Sequence, residues 1–152
     1  MELEWIVAAA LIGWLLTGLS WSVSNRQANA RESRKEYRAA LNSLESDIDR
    51  LLSSYKTYLT EPRATENEQA RLQVHADLNR LRRHVELLTQ DVGNELMDKY
   101  VELFEAVTSG QFESKTRKPE NAAKDYSHAV TSAENLVSCA EKWFRGRYLP
   151  GK

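Results

Sequence analysis

The chain has 152 residues, 41% hydrophobic and 28% charged, with 21 Lys+Arg against 22 Asp+Glu. That length allows one folded domain with a single appendage, and the composition excludes a disordered chain. A net charge of −1 leaves no bulk field to draw nucleic acid, and the single Cys139 excludes an internal disulfide and a cysteine-based zinc site.

The first element is the apolar run "WIVAAALIGWLLTGLSWSVSN", 21 residues (5–25) without a charged side chain. As a helix it would rise about 31 Å at roughly 1.5 Å per residue, close to the hydrocarbon thickness of a bilayer. A soluble core helix of this length would carry a charged face. Trp5 and Trp21 stand near its two ends, where indoles favour the headgroup region. The run therefore predicts a membrane-spanning helix. A cleaved signal peptide is the rival reading, with Ala28-Asn29-Ala30 as a small-x-small cleavage site. Against it stand an acidic "MELE" start, an apolar run too long for a leader, and basic residues directly after it.

Orientation follows from charge. Glu2 and Glu4 precede the run; Arg26, Arg31, Arg34, Lys35 and Arg38 follow it. Basic residues flanking a span are retained on the cytoplasmic side. The expected topology is a single pass through the cell (inner) membrane, with the N-terminus outside and the rest cytoplasmic. Within the run, Ala9, Gly13 and Thr17 recur every four residues, with Ser20 on the same side. Small residues in such a stripe let two helix backbones approach, so this face is the expected site of homo-oligomerisation in the membrane.

Beyond the span the apolar positions Tyr37, Leu41, Leu44, Ile48, Leu51, Tyr55 and Tyr58 alternate steps of four and three, a heptad seam. Pro62 ends that helix, and Thr65 with Glu68 resembles a capping box opening the next. The second series runs Val74, Leu78, Leu81, Val85, Leu88, Val92, then slips and continues as Leu96, Tyr100, Leu103, Val107. The slip falls on Gly93, which is expected to break the helix, since an unbroken one would be roughly 65 Å long. "SGQFESKTRKPENA" reads as a loop, with Gly110 a C-cap and Pro119 or Glu120 starting the last helix. That helix carries Tyr126, Val130, Ala133, Val137, Ala140 and Phe144. No segment alternates as a strand does.

The expected fold class is all-α: a transmembrane anchor (1–24), a cytoplasmic antiparallel coiled-coil-like bundle of three to four helices (25–149) and a short tail (150–152). Catalytic sets are missing. His75, His84 and His128 stand apart without a Glu-x-x-His spacing, and no phosphate-binding Gly-rich loop or nucleophile elbow occurs. No enzyme, cofactor or metal is expected.

Charged and aromatic clusters remain as candidate contact sites. Lys115, Arg117 and Lys118 form a loop cluster suited to anionic lipid, against the plain alternative of a solvated surface. Arg71, Arg80, Arg82 and Arg83 lack stacking aromatics, so nucleic acid is disfavoured. The segment "EKWFRGRYLPGK" sets Trp143 and Tyr148 beside Arg145 and Arg147, the composition of a protein-partner interface. Its structural alternative has Trp143 and Phe144 closing the bundle core. The expected function is a non-enzymatic, membrane-anchored adaptor or scaffold that contacts lipid, forms homo-oligomers and recruits a cytoplasmic protein. The alternative is a small membrane-perturbing effector of the bacterial defence or toxin type, whose span oligomerises under control of the bundle.

Overall fold

The computed structural model describes the backbone of residues 2–61, 64–109, 112 and 119–148, and side chains from residue 24 onward except those at 26, 27, 64–66, 91, 119 and 120. The described residues form helices α1 (Glu2–Thr60), α2 (Ala64–Val92), α3 (Asn94–Thr108) and α4 (Pro119–Tyr148), with no strand. The chain divides into two units, Met1–Arg38 and Ala39–Lys152. Among the described residues no helix is long and apolar enough to cross a membrane; the side chains of the span expected at 1–24 lie almost wholly outside them.

The heptad seam of α1 is buried at every expected position from Tyr37 to Tyr58. Its counterpart on α2 is buried at Val74, Leu78, Leu81, Val85 and Leu88. Burying a Leu or Val side chain contributes roughly 1.5–3 kcal/mol, so these seams add cohesion to the bundle. The two helices run antiparallel: Asp47 meets His84, whereas Ser54, further along α1, meets the earlier Asp77. Past Thr60, α1 leaves orphan carbonyls, and the Asn67 amide donates to two of them, Glu61 O at 3.0 Å and Tyr58 O at 3.5 Å. The start of α2 differs from expectation. Ala64 is already helical, so Thr65 lies inside the helix, and the Glu68 carboxylate holds Arg71.

Gly93 separates α2 from α3 with φ 90° and ψ 180°, the break expected from the slipped seam. Only glycine adopts that backbone without strain. The chain reverses there. In a continuous helix residues 78 and 100 would lie about 33 Å apart, yet the Tyr100 hydroxyl donates to Leu78 O at 3.1 Å. At its other end α3 closes on Ser109, in extended conformation, whose N–H donates to Glu105 O. Gly110, expected to terminate this helix, directly follows Ser109 and lies outside the described residues.

With 15 residues against 29 in α2, α3 is about 21 Å shorter at 1.5 Å per residue. The chain after it must cover the exposed end of the α1–α2 seam. Phe112 does so: 1% exposed, it packs on Tyr58 at 4.8 Å, His75 at 5.2 Å and Tyr55 at 6.4 Å between ring centroids. The Tyr58 hydroxyl donates to its carbonyl.

Helix α4 begins at Pro119, as expected, and packs antiparallel on α3, with Glu95 near Cys139 and Glu105 sharing a groove with His128. Its core stripe is the expected one only in part, at Ala133 and Ala140. Ala129, Ser132, Ala133, Leu136 and Ala140 are buried, whereas Tyr126, Val130, Val137 and Phe144 are only half-buried. Small side chains take the line of closest approach between helices, and bulkier apolar ones fill its flanks.

Two stability predictions follow from this packing. Phe112→Ala should lower the free energy of unfolding by roughly 3–5 kcal/mol, read from the urea midpoint of the full chain. Burial holds the Tyr100 phenol above its ordinary value. A folded pKa above the unfolded one gives stability that is complete below about pH 10 and lost as pH rises through the folded value. Urea midpoints should therefore fall above pH 10, and less steeply in Tyr100→Phe.

Candidate functional site

Between α1 and α2 the apolar seam is interrupted by buried polar groups. Asp47 is 4% exposed, with Arg80 Nε 3.0 Å from one carboxylate oxygen and His84 Nδ1 2.6 Å from the other. One heptad away Asp77, also 4% exposed, accepts from the Ser54 hydroxyl and from the Gln73 amide at 3.1 Å. Each buried carboxylate therefore has donors on both oxygens, which its desolvation requires. Single-helix spacing hides this cluster. Asp47 and His84 belong to different helices, and only the antiparallel register joins them. His84, expected to stand apart, is thus held against Asp47. No group of three or more His, Cys, Asp or Glu among the described residues is placed to hold a metal ion.

The C-terminal turns of α4 carry the expected aromatic and arginine set. Trp143 and Tyr148 are half-buried, with their rings 6.3 Å apart, and Phe144 lies 5.2 Å from Tyr148. The Arg147 guanidinium sits 5.1 Å over the Trp143 ring, and Arg145 pairs with Glu141 at 3.3 Å. Both arginines also suit the negative end of the helix dipole. Trp143, Gly146 and Arg147 line a groove of about 330 Å³ with Val92, Glu95 and Cys139. The Cys139 thiol is pushed up by burial and then by Glu95, which keeps it protonated and weakly nucleophilic at neutral pH. Each of these rings is thus partly buried and partly open to solvent.

Other arginines are engaged locally. Arg71 pairs with Glu68, and Arg82 with Glu86 at 2.8 Å. Ala9, Gly13, Thr17 and Ser20 of the span stripe, and Lys115, Arg117 and Lys118 of the loop cluster, lie outside the described residues. One surface escaped the sequence reading. Leu72 and Leu87 on α2 and Val101 and Phe104 on α3 remain exposed. Heptad reasoning assigns one apolar stripe per helix and leaves such residues unremarked; their surplus over the stripe was the available signal.

Comparison with protein-family models, curated proteins and solved structures finds no match to this chain.

Truncating both donors to Asp47 should be worse than removing the acid. Arg80→Ala with His84→Ala strands a buried carboxylate and should cost about 3–5 kcal/mol, whereas Asp47→Leu should lie within about 1 kcal/mol of the parent. Urea denaturation of the variants measures the difference.

Proposed function

We propose that this chain is a non-enzymatic, membrane-anchored adaptor, whose helical bundle recruits a protein partner at the cytoplasmic face of the cell membrane. One observation carries the reading: 21 uncharged residues (5–25) followed at once by Arg26, Arg31, Arg34, Lys35 and Arg38. Length matches the bilayer, and the basic flank orients the span with its N-terminus outside. The bundle supports it in kind. Its buried carboxylates, Asp47 and Asp77, are spent on holding α1 to α2.

In this reading the half-buried Trp143 and Tyr148, with Arg145 and Arg147, supply the partner contact, because aromatic and arginine side chains dominate binding energy at protein interfaces. Lys115, Arg117 and Lys118 supply contact with anionic lipid. The small-residue stripe at Ala9, Gly13, Thr17 and Ser20 favours a second reading, in which the span assembles and perturbs the bilayer under control of the bundle.

Topology tests the proposal first. In a Cys139→Ser chain with a cysteine appended after Lys152, a membrane-impermeant maleimide should label only after lysis. Labelling of intact cells overturns the cytoplasmic placement. Replacing residues 3–23 by an unrelated span of equal length should preserve partner recruitment if the chain is an adaptor. If the swap, or Gly13→Leu, instead abolishes membrane depolarisation, the second reading holds.

A further inference from the structure

Helices α3 and α4 enclose a groove of about 590 Å³ that the adaptor reading does not use. On α3 it is lined by Glu102, Glu105 and Thr108, one helical face at spacings of three, and it ends at Ser109. On α4 it is lined by His128, Thr131, Ser132 and Asn135. None of these described lining residues is Lys or Arg.

Free acceptors outnumber free donors along this wall. Glu105 makes no ion pair or side-chain hydrogen bond among the described residues. Glu102 gives one carboxylate oxygen to Lys99 at 2.6 Å and keeps the other. The Thr108 hydroxyl donates to Phe104 O at 2.7 Å, and the Thr131 hydroxyl to Ser127 O at 3.1 Å. Their protons are thus spent within their own helices, and their oxygen lone pairs remain. Ser132 differs from its neighbour. It is 6% exposed, yet its hydroxyl forms no hydrogen bond among the described residues. A helical Ser or Thr commonly returns its proton to the carbonyl one turn back, as Thr131 does. A buried hydroxyl left without a partner on the wall of a groove calls for one supplied from the groove.

We propose that this groove binds a short linear polyamine. An ammonium group has three donors and no acceptor, the complement of a wall whose free groups are mainly acceptors. With Glu95 beside Cys139, the antiparallel packing sets Glu102 level with Ser132, and Glu105 level with His128 and Ala129. One nitrogen then sits between the free Glu102 oxygen and the Ser132 hydroxyl, and the next about 4.5 Å along α3 at Glu105. From Glu102 to Ser109 the groove runs about 10 Å, which admits two or three amines on an extended aliphatic chain. A bare divalent ion fits less well, because no three His, Cys, Asp or Glu among the described residues are placed to hold one. The site does not depend on the membrane or adaptor reading.

Calorimetric titration of the full chain in uncharged detergent with spermidine tests this, with amide NMR shifts locating the site. Spermidine should bind one-to-one and shift the α3 and α4 amides around Glu105 and Ser132. Glu105→Gln and Ser132→Ala should each weaken it roughly three- to tenfold. Glu134→Gln removes the same charge from α4 outside the groove and should leave the affinity within about twofold. Butylamine, with a single ammonium, should bind about tenfold more weakly or worse. Glu105 is exposed, so its variant keeps the fold and carries the test if Ser132→Ala does not. Absence of binding, an equal loss in Glu134→Gln, or equal shifts from Mg²⁺ at the same ionic strength leaves only diffuse attraction to an acidic surface and overturns the proposal. Butylamine binding as tightly as spermidine overturns the polyamine assignment.

Discussion

At Gly93 the chain reverses between two helices through a single residue, and the arrangement of the bundle depends on that reversal. A backbone at φ 90° is open to glycine and strained for L side chains. Without it α2 would continue outward, and Tyr100 would not reach Leu78 O. With it, α3 lies beside α2 and α4 packs on α3. The reversal leaves α3 shorter than α2, so chain after α3 must cover the far end of the seam, where Phe112 fills the gap between Tyr58 and His75.

Register between α1 and α2 needs its own explanation, because a seam of Leu, Val and Tyr is nearly periodic. Sliding one helix by a heptad would keep most apolar contacts. The buried polar layer forbids it. In the observed register Asp47 faces Arg80 and His84, and Asp77 faces Ser54. A shift of seven in one direction would place Asp47 opposite Asp77, setting one buried acid against another, which disfavours that register.

The two ends of the bundle are chemically distinct. One is closed by Phe112 on the tyrosines of α1, buried and with its carbonyl taken by Tyr58. The other carries Trp143, Arg147 and Val92 around an open groove, beside a Cys139 whose burial suppresses its ionisation. In the adaptor proposed above, the closed end would hold the bundle together and the aromatic, basic end would meet the partner.

Sequence by itself determined the elements. The alternation of four and three along Tyr37 to Tyr58 and Val74 to Leu88, the slip at Gly93 and Pro119 at a helix start are local properties, because helix periodicity and backbone strain act within a few residues. The all-α bundle was legible for that reason. Tertiary structure alone decided which residues meet. Asp47 and His84 are unrelated in sequence until two helices align, and Phe112 becomes core only because α3 is short. On α4 the periodic reading held at Ala133 and Ala140 but not at Val130 and Val137, which are only half-buried while their neighbours Ala129 and Leu136 are buried. Hydrophobicity selects a side of a helix, whereas volume, set by the neighbouring helix, selects the residues at its centre.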